Sequence, residues 1–352
     1  MRKKVVFLIA HLGGGGAERV TVTLANFFSN NGCDVYMIAF SDKYNEYPLD
    51  EKVKLKFLPE HKENKVRNVI GKVFALKKSL AKINPSAVIS LGFSYRYLFF
   101  GNLMNKYNHI LSERNDPRQQ YPNKWELEIV KYCLRCATHV VFQTKDAMKF
   151  YSDEIQKHAS IIPNPIKEGL PDAYHGERDK RIIAYSRLSE QKNIPMMLRA
   201  FKKFLANHSE YILEIYGRGE SEEYLKKYAV ELGIADQVFF AGFAQNVHER
   251  ILRATCFLST SNYEGISNSM LESLAIGLPC VCTDCPVGGA SMFIRDGING
   301  FLTPVGDEEA TAQALHKLVS SPKLVQQMSI EAEKIRFELA TDKICNQWLK
   351  LI

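Results

Sequence analysis

The sequence predicts an α/β protein with two doubly wound parallel sheets. Strand-like apolar runs alternate with longer amphipathic stretches along almost the whole chain, as in sheets covered by helices on both faces. The length of 352 residues suits about two domains. The alternation breaks once, from Pro163 through KEGLPDAYHGERDKR, where turn formers and charges predict a linker between the two halves.

The first half begins with a strand. Its predicted strands are KVVFLIA, DVYMIAF, VKLKFL, AVISLG, HILSE, HVVFQT and ASIIPNPI. Helices are predicted over residues 17–30 and 66–83, before Cys136, and after HVVFQT. The start MRKKVVFLIA also has features of a signal peptide, but its apolar run is short, meets glycines and lacks a small-residue cleavage site.

The second half repeats the alternation. Its predicted strands are RIIAYSRL, YILEIYG, QVFFAG, CFLSTS, PCVCTD and GFLTPVG. Helices are predicted over residues 194–207, 222–232, 247–254 and 267–276, and two terminal helices over 307–351. Ligands of such sheets bind at the carboxyl ends of the strands, so we expect a site in a cleft between facing halves.

Charge and cysteine content narrow the class of protein. The net charge of +7 is too mild for a nucleic-acid binder, and it suits an anionic substrate or an anionic lipid surface. No apolar run approaches the roughly 18 residues of a membrane span, and we predict a cytoplasmic protein. Cys133-x-x-Cys136 and Cys282-x-x-Cys285 have zinc-like spacing, but no histidines cluster near them, so buried thiols and no metal are predicted.

A glycine-rich turn follows the first strand in HLGGGGAER, residues 11–19. Glycines let the backbone approach a ligand, and the N–H groups of the next helix suit a phosphate. A tight turn without a ligand is the alternative. A nicotinamide site is not indicated, because the third glycine of the dinucleotide fingerprint is missing here and in YGRGESEEY.

The corresponding strand end of the second half carries Arg187 and Lys192. Two cations at the ligand edge of a sheet suit a diphosphate and the charge of a leaving group. Solvated surface charges are the alternative for either residue alone.

Two glutamates stand eight residues apart in YEGISNSMLESLAIGLP. Ser267 or Asn268 is a candidate N-cap of the helix that follows, and backbone N–H groups of residues 265–268 can bind hydroxyls or phosphate oxygens. Glu272 lies about 6 Å along that helix beyond Asn268. Glu264 and Glu272 can therefore hold two parts of one extended ligand, unless both are ordinary surface residues.

The spacing Glu264-x7-Glu272, within EGISNSMLESLAIGLP and before TDCPVGG, resembles the signature of retaining family-four glycosyltransferases (glycosyl transferases group 1) with the GT-B fold. GGGGAERV, IPNPI, SRLSEQKN and IRDGINGFL match the same family in order, so the resemblance covers essentially the whole chain. It implies two Rossmann-like domains facing a central cleft. The acceptor-binding domain would span residues 1–167, the nucleotide-sugar-binding domain 168–335, and a last helix over 336–352 would pack back on the first.

The resemblance also implies roles for single residues. Glu264 would bind hydroxyls of the donor sugar and Glu272 the ribose, while Arg187 and Lys192 would bind the diphosphate. The complete implied donor site consists of Gly15, Gly16, Arg187, Lys192, Gly242, Phe243, Glu264, Gly265, Ile266, Ser267, Asn268, Leu271 and Glu272.

The chain departs from the family in LSERNDP, where many members carry a histidine near the reacting sugar. Arg114 stands at that place, as a candidate ligand of an acceptor phosphate. Glu113 and Asp116 are candidate bases, and a turn held by Asp116-Pro117 is the alternative. The predicted catalytic set is Glu264, Arg187, Lys192, Arg114 and Glu113.

The predicted helix over residues 66–83 is both apolar and basic. Its apolar residues recur at helical spacing: Val66, Val69, Ile70, Val73, Leu76 and Leu80. Basic residues surround them: Lys62, Lys65, Arg67, Lys72, Lys77, Lys78 and Lys82. Glu63 is the only acid in this stretch of the sequence. The helix would rest on anionic lipid headgroups, pack on the sheet, or do both. FSYRYLFFGNLM, residues 93–104, would form a core helix or an apolar lip for a lipid acceptor.

These observations predict a cytoplasmic hexosyltransferase, peripheral on the inner face of the cell membrane. It would move a hexose or N-acetylhexosamine from a UDP-sugar to a saccharide acceptor that is polyprenyl-diphosphate-linked, in bacterial capsule, lipopolysaccharide or exopolysaccharide assembly. No cofactor, metal or nucleic acid is predicted. The alternatives are a catalytically weak sugar-nucleotide-binding subunit, or another GT-B enzyme such as an epimerase or phosphorylase.

Overall fold

The computed structural model describes residues 2–42, 47–60, 64–121 and 123–352. The chain divides into two compact units. Unit 1 ends at Pro165 and takes in Thr341–Ile352 again, and unit 2 comprises Ile166–Ala340. The sequence-based boundaries were drawn at 167 and 335.

Unit 1 contains a seven-stranded parallel sheet in the order β3-β2-β1-β4-β5-β6-β7. The strands are β1 Lys4–Ile9, β2 Asp34–Ala39, β3 Lys54–Phe57, β4 Ala87–Leu91, β5 His109–Ser112, β6 His139–Phe142 and β7 Ala159–Ile161. In the central strand β1, residues 5–9 are at most 2% exposed, as expected for an apolar parallel strand packed on both faces.

The helices of this part of unit 1 include the predicted basic helix. They are α1 Gly16–Asn30, α2 Lys65–Ile83, α3 Tyr95–Phe100, α4 Pro117–Gln120, α5 Lys124–Cys136, α6 Lys145–Lys149 and α7 Asp153–Gln156. In α3, Tyr95 and Leu98 are buried, whereas Phe99 and Phe100 are 37% and 56% exposed. The segment 93–104 therefore contributes both to the core and to the surface.

The apolar stripe of α2 is buried along only part of its length. Leu76 and Leu80 are fully buried, but Val66 and Ile70 are 68% and 50% exposed. At about 100° per residue, all six predicted apolar residues fall within an arc of about 120°, so they form one stripe. The stripe is buried at Val73, Leu76 and Leu80, whereas its start at Val66 and Ile70 is exposed. Lys62 and Glu63 lie outside the described residues.

Unit 2 contains a six-stranded parallel sheet in the order β10-β9-β8-β11-β12-β13, the strand order of a doubly wound Rossmann sheet. The strands are β8 Asp179–Tyr185, β9 Ile212–Tyr216, β10 Val238–Gly242, β11 Ala254–Ser259, β12 Cys280–Thr283 and β13 Gly300–Thr303. The helices are α8 Ile194–Leu205, α9 Glu222–Glu231, α10 Val247–Ile251, α11 Asn268–Ala275, α12 Glu308–Val319, α13 Pro322–Glu333 and α14 Ile335–Glu338. The predicted fold class, with two parallel-sheet α/β domains, is confirmed.

The last helix, α15 Thr341–Leu349, returns to unit 1 and packs against α1. Trp348 of α15 is fully buried, which anchors the returning segment. The C-terminal region thus contains α12–α15 where two helices were predicted.

Two further features bear on the expectations from the sequence. No helix in the described ranges combines the length and apolarity needed to cross a membrane. All eight cysteines are free thiols, and the described residues contain no group of three or more metal-ligating side chains placed to hold an ion.

Candidate functional site

Lys192 lies at the carboxyl edge of the unit 2 sheet. It ends a short 3-10 turn, Glu190–Lys192, that follows β8, and Asn193 after it has φ 44°. Thr260 Oγ1 donates hydrogen bonds to the backbone carbonyls of Lys192 and Asn193, at 3.1 and 3.0 Å. The amide of Asn193 donates to Asn262 Oδ1 at 2.8 Å. The turn is therefore tied to the loop after β11.

Glu264, on that loop, is in direct contact with Lys192. The ammonium Nζ donates to Glu264 Oε1, and Ser261 Oγ donates to the same oxygen at 3.0 Å. The two side chains of the ion pair are 17% and 15% exposed, so they are partly screened from solvent without being sealed from it. Two residues that lie 72 positions apart in the sequence thus form an ion pair at the strand ends.

The segment between Glu264 and α11 is held close to another loop. A Cβ at Gly289 would overlap the carbonyl oxygen of Gly265, so glycine is needed at position 289. Ser267 caps α11, accepting a hydrogen bond from Met270 N at 3.4 Å. Residues 265–268 thereby lead into a helix N-terminus, which favours negative charge. Ile266 and Leu271 are 6% and 1% exposed and pack in the interior.

Glu272, inside α11, is buried against His248 of α10. His248 Nε2 lies 2.8 Å from Glu272 Oε2, and the Tyr185 ring meets the imidazole edge-on at 5.7 Å between centroids. Tyr185 OH donates to the carbonyl oxygen of Ser269 at 2.6 Å and accepts from Ser273 Oγ at 3.1 Å. Sequence reasoning missed His248, because nothing in NVHERIL marks a partner 24 residues later.

Arg187 stands apart from these contacts. Its side chain is exposed, and its guanidinium makes no hydrogen bond or ion pair with any described residue. The residues on either side of Arg187 pack against the YGRG loop, residues 216–219. Cβ atoms at Gly217 and Gly219 would overlap the carbonyl oxygens of Ser186 and Leu188, so both positions need glycine. Gly217 and Gly219 do not belong to a dinucleotide fingerprint, but they allow the backbones of two loops to come into contact at this edge of the sheet.

The Gly242–Phe243 loop lies beside the same YGRG loop. Gly242 has φ 67° and its carbonyl accepts from Gly217 N at 2.8 Å. The Phe243 ring is 59% exposed, with the Arg218 guanidinium 6.0 Å from its centroid. An exposed ring beside a cation is available for stacking on a planar ligand.

In unit 1, the glycine-rich turn leads into α1. Gly14 has φ 71°, which favours glycine, and Gly15 is the N-cap of the 15-residue helix α1. Gly15 has no side chain to cap the helix, and its carbonyl accepts hydrogen bonds from Arg19 N and Tyr47 OH at 3.1 and 3.2 Å. Gly15 and Gly16 thus place their backbone at the N-terminus of α1.

Glu113, after β5, lies in the interior of unit 1. It is 2% exposed, and three tyrosine hydroxyls donate to its carboxylate: Tyr95 and Tyr121 to Oε1, the latter at 3.0 Å, and Tyr151 to Oε2 at 2.9 Å. Burial raises the pKa of Glu113, although the three hydroxyls lower it. This arrangement suits a residue that holds three chain segments together better than a base that must reach an acceptor hydroxyl.

Arg114 turns in a different direction from Glu113. Its guanidinium donates to Asn164 Oδ1 and, at 3.3 Å, to Ser112 Oγ. Burial lowers the pKa of Arg114 to about 9, and the charge of Arg19 adds to this effect. Asp116 is the N-cap of α4 and accepts from Arg118 N at 3.0 Å, so the capped turn expected at Asp116-Pro117 is present.

Two family models match this chain. Residues 171–335 match glycosyl transferases group 1, and residues 14–169 match glycosyltransferase family 4. The chain belongs to the group 1 glycosyl transferases. The two matches leave out only residues 1–13, 170 and 336–352, so both units of this glycosyltransferase carry the family pattern.

Curated relatives of this glycosyltransferase extend over its full length. An uncharacterized glycosyltransferase of Haemophilus influenzae is 26% identical over 98% of this chain and 99% of its own. A Campylobacter jejuni alpha-1,4-N-acetyl-D-galactosaminyltransferase, named for the substrate GalNAc-GalNAc-diNAcBac-PP-undecaprenol, is 28% identical over 99% of this chain and 98% of its own. A second enzyme of that organism, a diphospho-undecaprenol-linked 4-alpha-N-acetylgalactosaminyltransferase, is 28% identical over 92% of each chain.

Solved structures agree on the fold. Sucrose-phosphate synthase from Thermosynechococcus elongatus superposes with a TM-score of 0.87 at 16% identity, covering 99% of this chain and 98% of its own. TarM gives 0.84 at 16% identity, covering 100% and 99%. Anabaena HepE in complex with UDP gives 0.81 at 15% identity, covering 99% and 98%. The GT-B fold class predicted from the sequence is thereby confirmed.

Proposed function

We propose that this glycosyltransferase retains the anomeric configuration and transfers a hexose or N-acetylhexosamine from a UDP-sugar to a polyprenyl-diphosphate-linked saccharide. The observation that carries the proposal is the contact between Lys192 and Glu264 at the carboxyl edge of the unit 2 sheet. It puts a cation suited to a diphosphate beside an acid suited to sugar hydroxyls. The Campylobacter jejuni relatives support the acceptor class, and HepE with UDP supports the donor nucleotide.

The donor would be held by residues with complementary chemistry. Glu264 binds sugar hydroxyls, and Glu272, oriented by His248, binds the ribose. Phe243 flanks the base, and the backbone of residues 265–268 binds sugar and phosphate oxygens at the start of α11. The Gly15–Gly16 backbone of unit 1 adds a second helix N-terminus for phosphate oxygens.

The negative charge that develops during the reaction assigns roles to Lys192 and Arg187. Cleavage of the glycosyl phosphate puts negative charge on the diphosphate, and Lys192 and Arg187 stabilise it. The exposed Arg187 guanidinium has no other ion-pair partner among the described residues, so it is available to a ligand. In front-face attack, the leaving phosphate accepts the proton of the acceptor hydroxyl, which gives retention without a protein nucleophile.

The exposed apolar side of α2 is the proposed membrane-contacting surface. Its exposed apolar residues Val66, Ile70 and Phe74 are 68%, 50% and 67% exposed. Arg67 and Lys78 are exposed on the same side, whereas Lys72 is buried and paired with Glu60 at 3.3 Å. An apolar ridge flanked by cations fits an anionic lipid surface, where a lipid-linked acceptor would be found.

A panel of nucleotide sugars tests the donor assignment. UDP-sugars should raise the melting temperature, and GDP- or ADP-sugars should leave it unchanged, since only a bound ligand stabilises the folded state. Incubation of the matching UDP-sugar with undecaprenyl-diphosphate-linked saccharides should then yield an extended product with an α-linkage. A product of inverted configuration, or stabilisation by another nucleotide alone, would refute the assignment.

A further inference from the structure

Arg114 lies where four strand ends of unit 1 meet. It follows β5, and its guanidinium donates to Ser112 at the end of β5 and to Asn164 beyond β7. Gln143, after β6, donates to the same Asn164 oxygen at 2.8 Å. Gly92, after β4, comes so close that a Cβ there would lie 3.5 Å from Arg114 Cγ. One side of the guanidinium is therefore fixed by neutral groups.

The Nε group of Arg114 differs from the two terminal nitrogens. It is buried and has no hydrogen-bond partner among the described residues. Neither of its side-chain partners is a carboxylate, because the adjacent Glu113 points into the three tyrosine hydroxyls. Arg19, in the first turns of α1, adds a second positive charge, and Arg114 remains cationic at neutral pH. Charged groups in protein interiors are normally paired, so this environment favours an anionic ligand.

We propose that Arg114, reinforced by the charge of Arg19, binds a phosphate group at the carboxyl edge of the unit 1 sheet. A planar guanidinium with fixed donors matches phosphate oxygens. The inference rests on the proposed function, in which two substrates carry phosphate: the acceptor diphosphate and the β-phosphate of the donor. Arg114 recognises the chemistry that the two share, and binding experiments separate the sources.

Calorimetry with inorganic phosphate, UDP and UMP tests the proposal on the full chain. If the site serves the acceptor, inorganic phosphate binds wild type already saturated with UDP, and Arg114→Gln weakens this binding at least tenfold without changing the affinity for UDP or UMP. If the site serves the donor, Arg114→Gln weakens UDP at least tenfold and leaves UMP unchanged. Unchanged binding of phosphate, UDP and UMP in Arg114→Gln would overturn the proposal.

Matched variants exclude a trivial loss of structure. Arg118→Gln removes an exposed arginine from α4 and should bind all three ligands as wild type does. Arg114→Lys keeps the positive charge but lacks the paired donors of the guanidinium. Its affinity for phosphate should lie between those of wild type and Arg114→Gln. If Arg114→Gln does not fold, Arg19→Gln must show the same pattern with a smaller loss, or the proposal fails. Wild type that binds phosphate but not UDP would refute the proposed function and leave this site standing.

Discussion

His248 Nε2 and Glu272 Oε2 lie 2.8 Å apart in the interior of unit 2. Each side chain is 8% exposed. In a bond to an ionised carboxylate, the imidazole is the donor. The pair fixes the direction of the carboxylate that the proposed function assigns to the ribose, which makes His248 a positioning residue.

We expect His248→Phe to reduce discrimination between UDP and 2′-deoxy-UDP or 3′-deoxy-UDP. Wild type should lose about tenfold or more in affinity when the hydroxyl bound by Glu272 is absent, since hydrogen bonds to charged groups contribute about 1.5–3 kcal/mol. In His248→Phe the carboxylate is no longer oriented, so the affinity ratio should approach one. Isothermal titration of the three nucleotides measures both ratios.

His248→Gln is the conservative control, because its amide can still donate to Glu272. It should restore most of the discrimination. A purely structural role for His248 would lower the melting temperature of His248→Phe while leaving the nucleotide ratio at the wild-type value, and that result would contradict the prediction.

Lys192→Ala and Glu264→Ala should each keep the fold and lower kcat by about 10²- to 10³-fold, the usual effect of removing one donor to a developing charge. Because the two side chains form one ion pair, the double variant should lose much less than the product of the single losses. Initial rates with a UDP-sugar and a lipid-linked acceptor measure the coupling. Lys203→Ala provides the control, since Lys203 on α8 is 42% exposed and pairs with the acids Glu308 and Glu309 of α12. Fully multiplicative losses would show that the pair does not act as a unit.

Val66→Gln should weaken binding to anionic vesicles, whereas Val230→Gln should not. The two valines are 68% and 66% exposed, but Val230 is on α9 of unit 2. Phe74→Gln should have a larger effect, because burying an aromatic side chain contributes more than burying a valine. Lys78→Gln should weaken binding several-fold at low salt, with about 1 kcal/mol expected per cation near the surface. Sedimentation with phosphatidylglycerol vesicles is the measurement, and equal binding by Val66→Gln and Val230→Gln would argue against this surface.

Glu113 should make stability depend on pH. Burial raises its pKa above the ordinary 4.5, so the folded protein keeps a proton that the unfolded chain has lost. Its contribution to the free energy of unfolding therefore falls as the pH rises from about 4.5 through the folded pKa. Urea melts from about pH 4 to about pH 8 measure the free energy of unfolding of wild type and of Glu113→Gln. As the pH rises, wild type should lose stability relative to Glu113→Gln, because glutamine does not titrate.

Tyr151→Phe tests the same cluster from the other side. It should lower the free energy of unfolding by about 1–3 kcal/mol, because a buried carboxyl oxygen loses its hydrogen-bond donor. Tyr224→Phe, at a tyrosine that is 56% exposed, should change little. A stability difference between wild type and Glu113→Gln that is the same at every pH would rule out this account of Glu113.

Several features of the site could be predicted because they are local. The glycines of the first turn and the capping residue Ser267 act within a few residues of themselves, so their spacing is visible in the sequence. The apolar stripe of α2 could be predicted from its spacing, but which part of it is buried could not. Val66 and Ile70 look the same in the sequence whether they face a sheet or solvent.

The sequence by itself determined the alternation of strands and helices, because an apolar strand such as β1 must be buried on both faces and a helix must bury one side. Only the tertiary structure decided which distant residues meet. Lys192 contacts Glu264 across 72 positions, His248 supports Glu272, and Glu113 accepts hydrogen bonds from three tyrosines in separate segments of the chain. These partners come together because parallel strands bring all their carboxyl ends to one edge, and no periodicity records which loop residues then face one another.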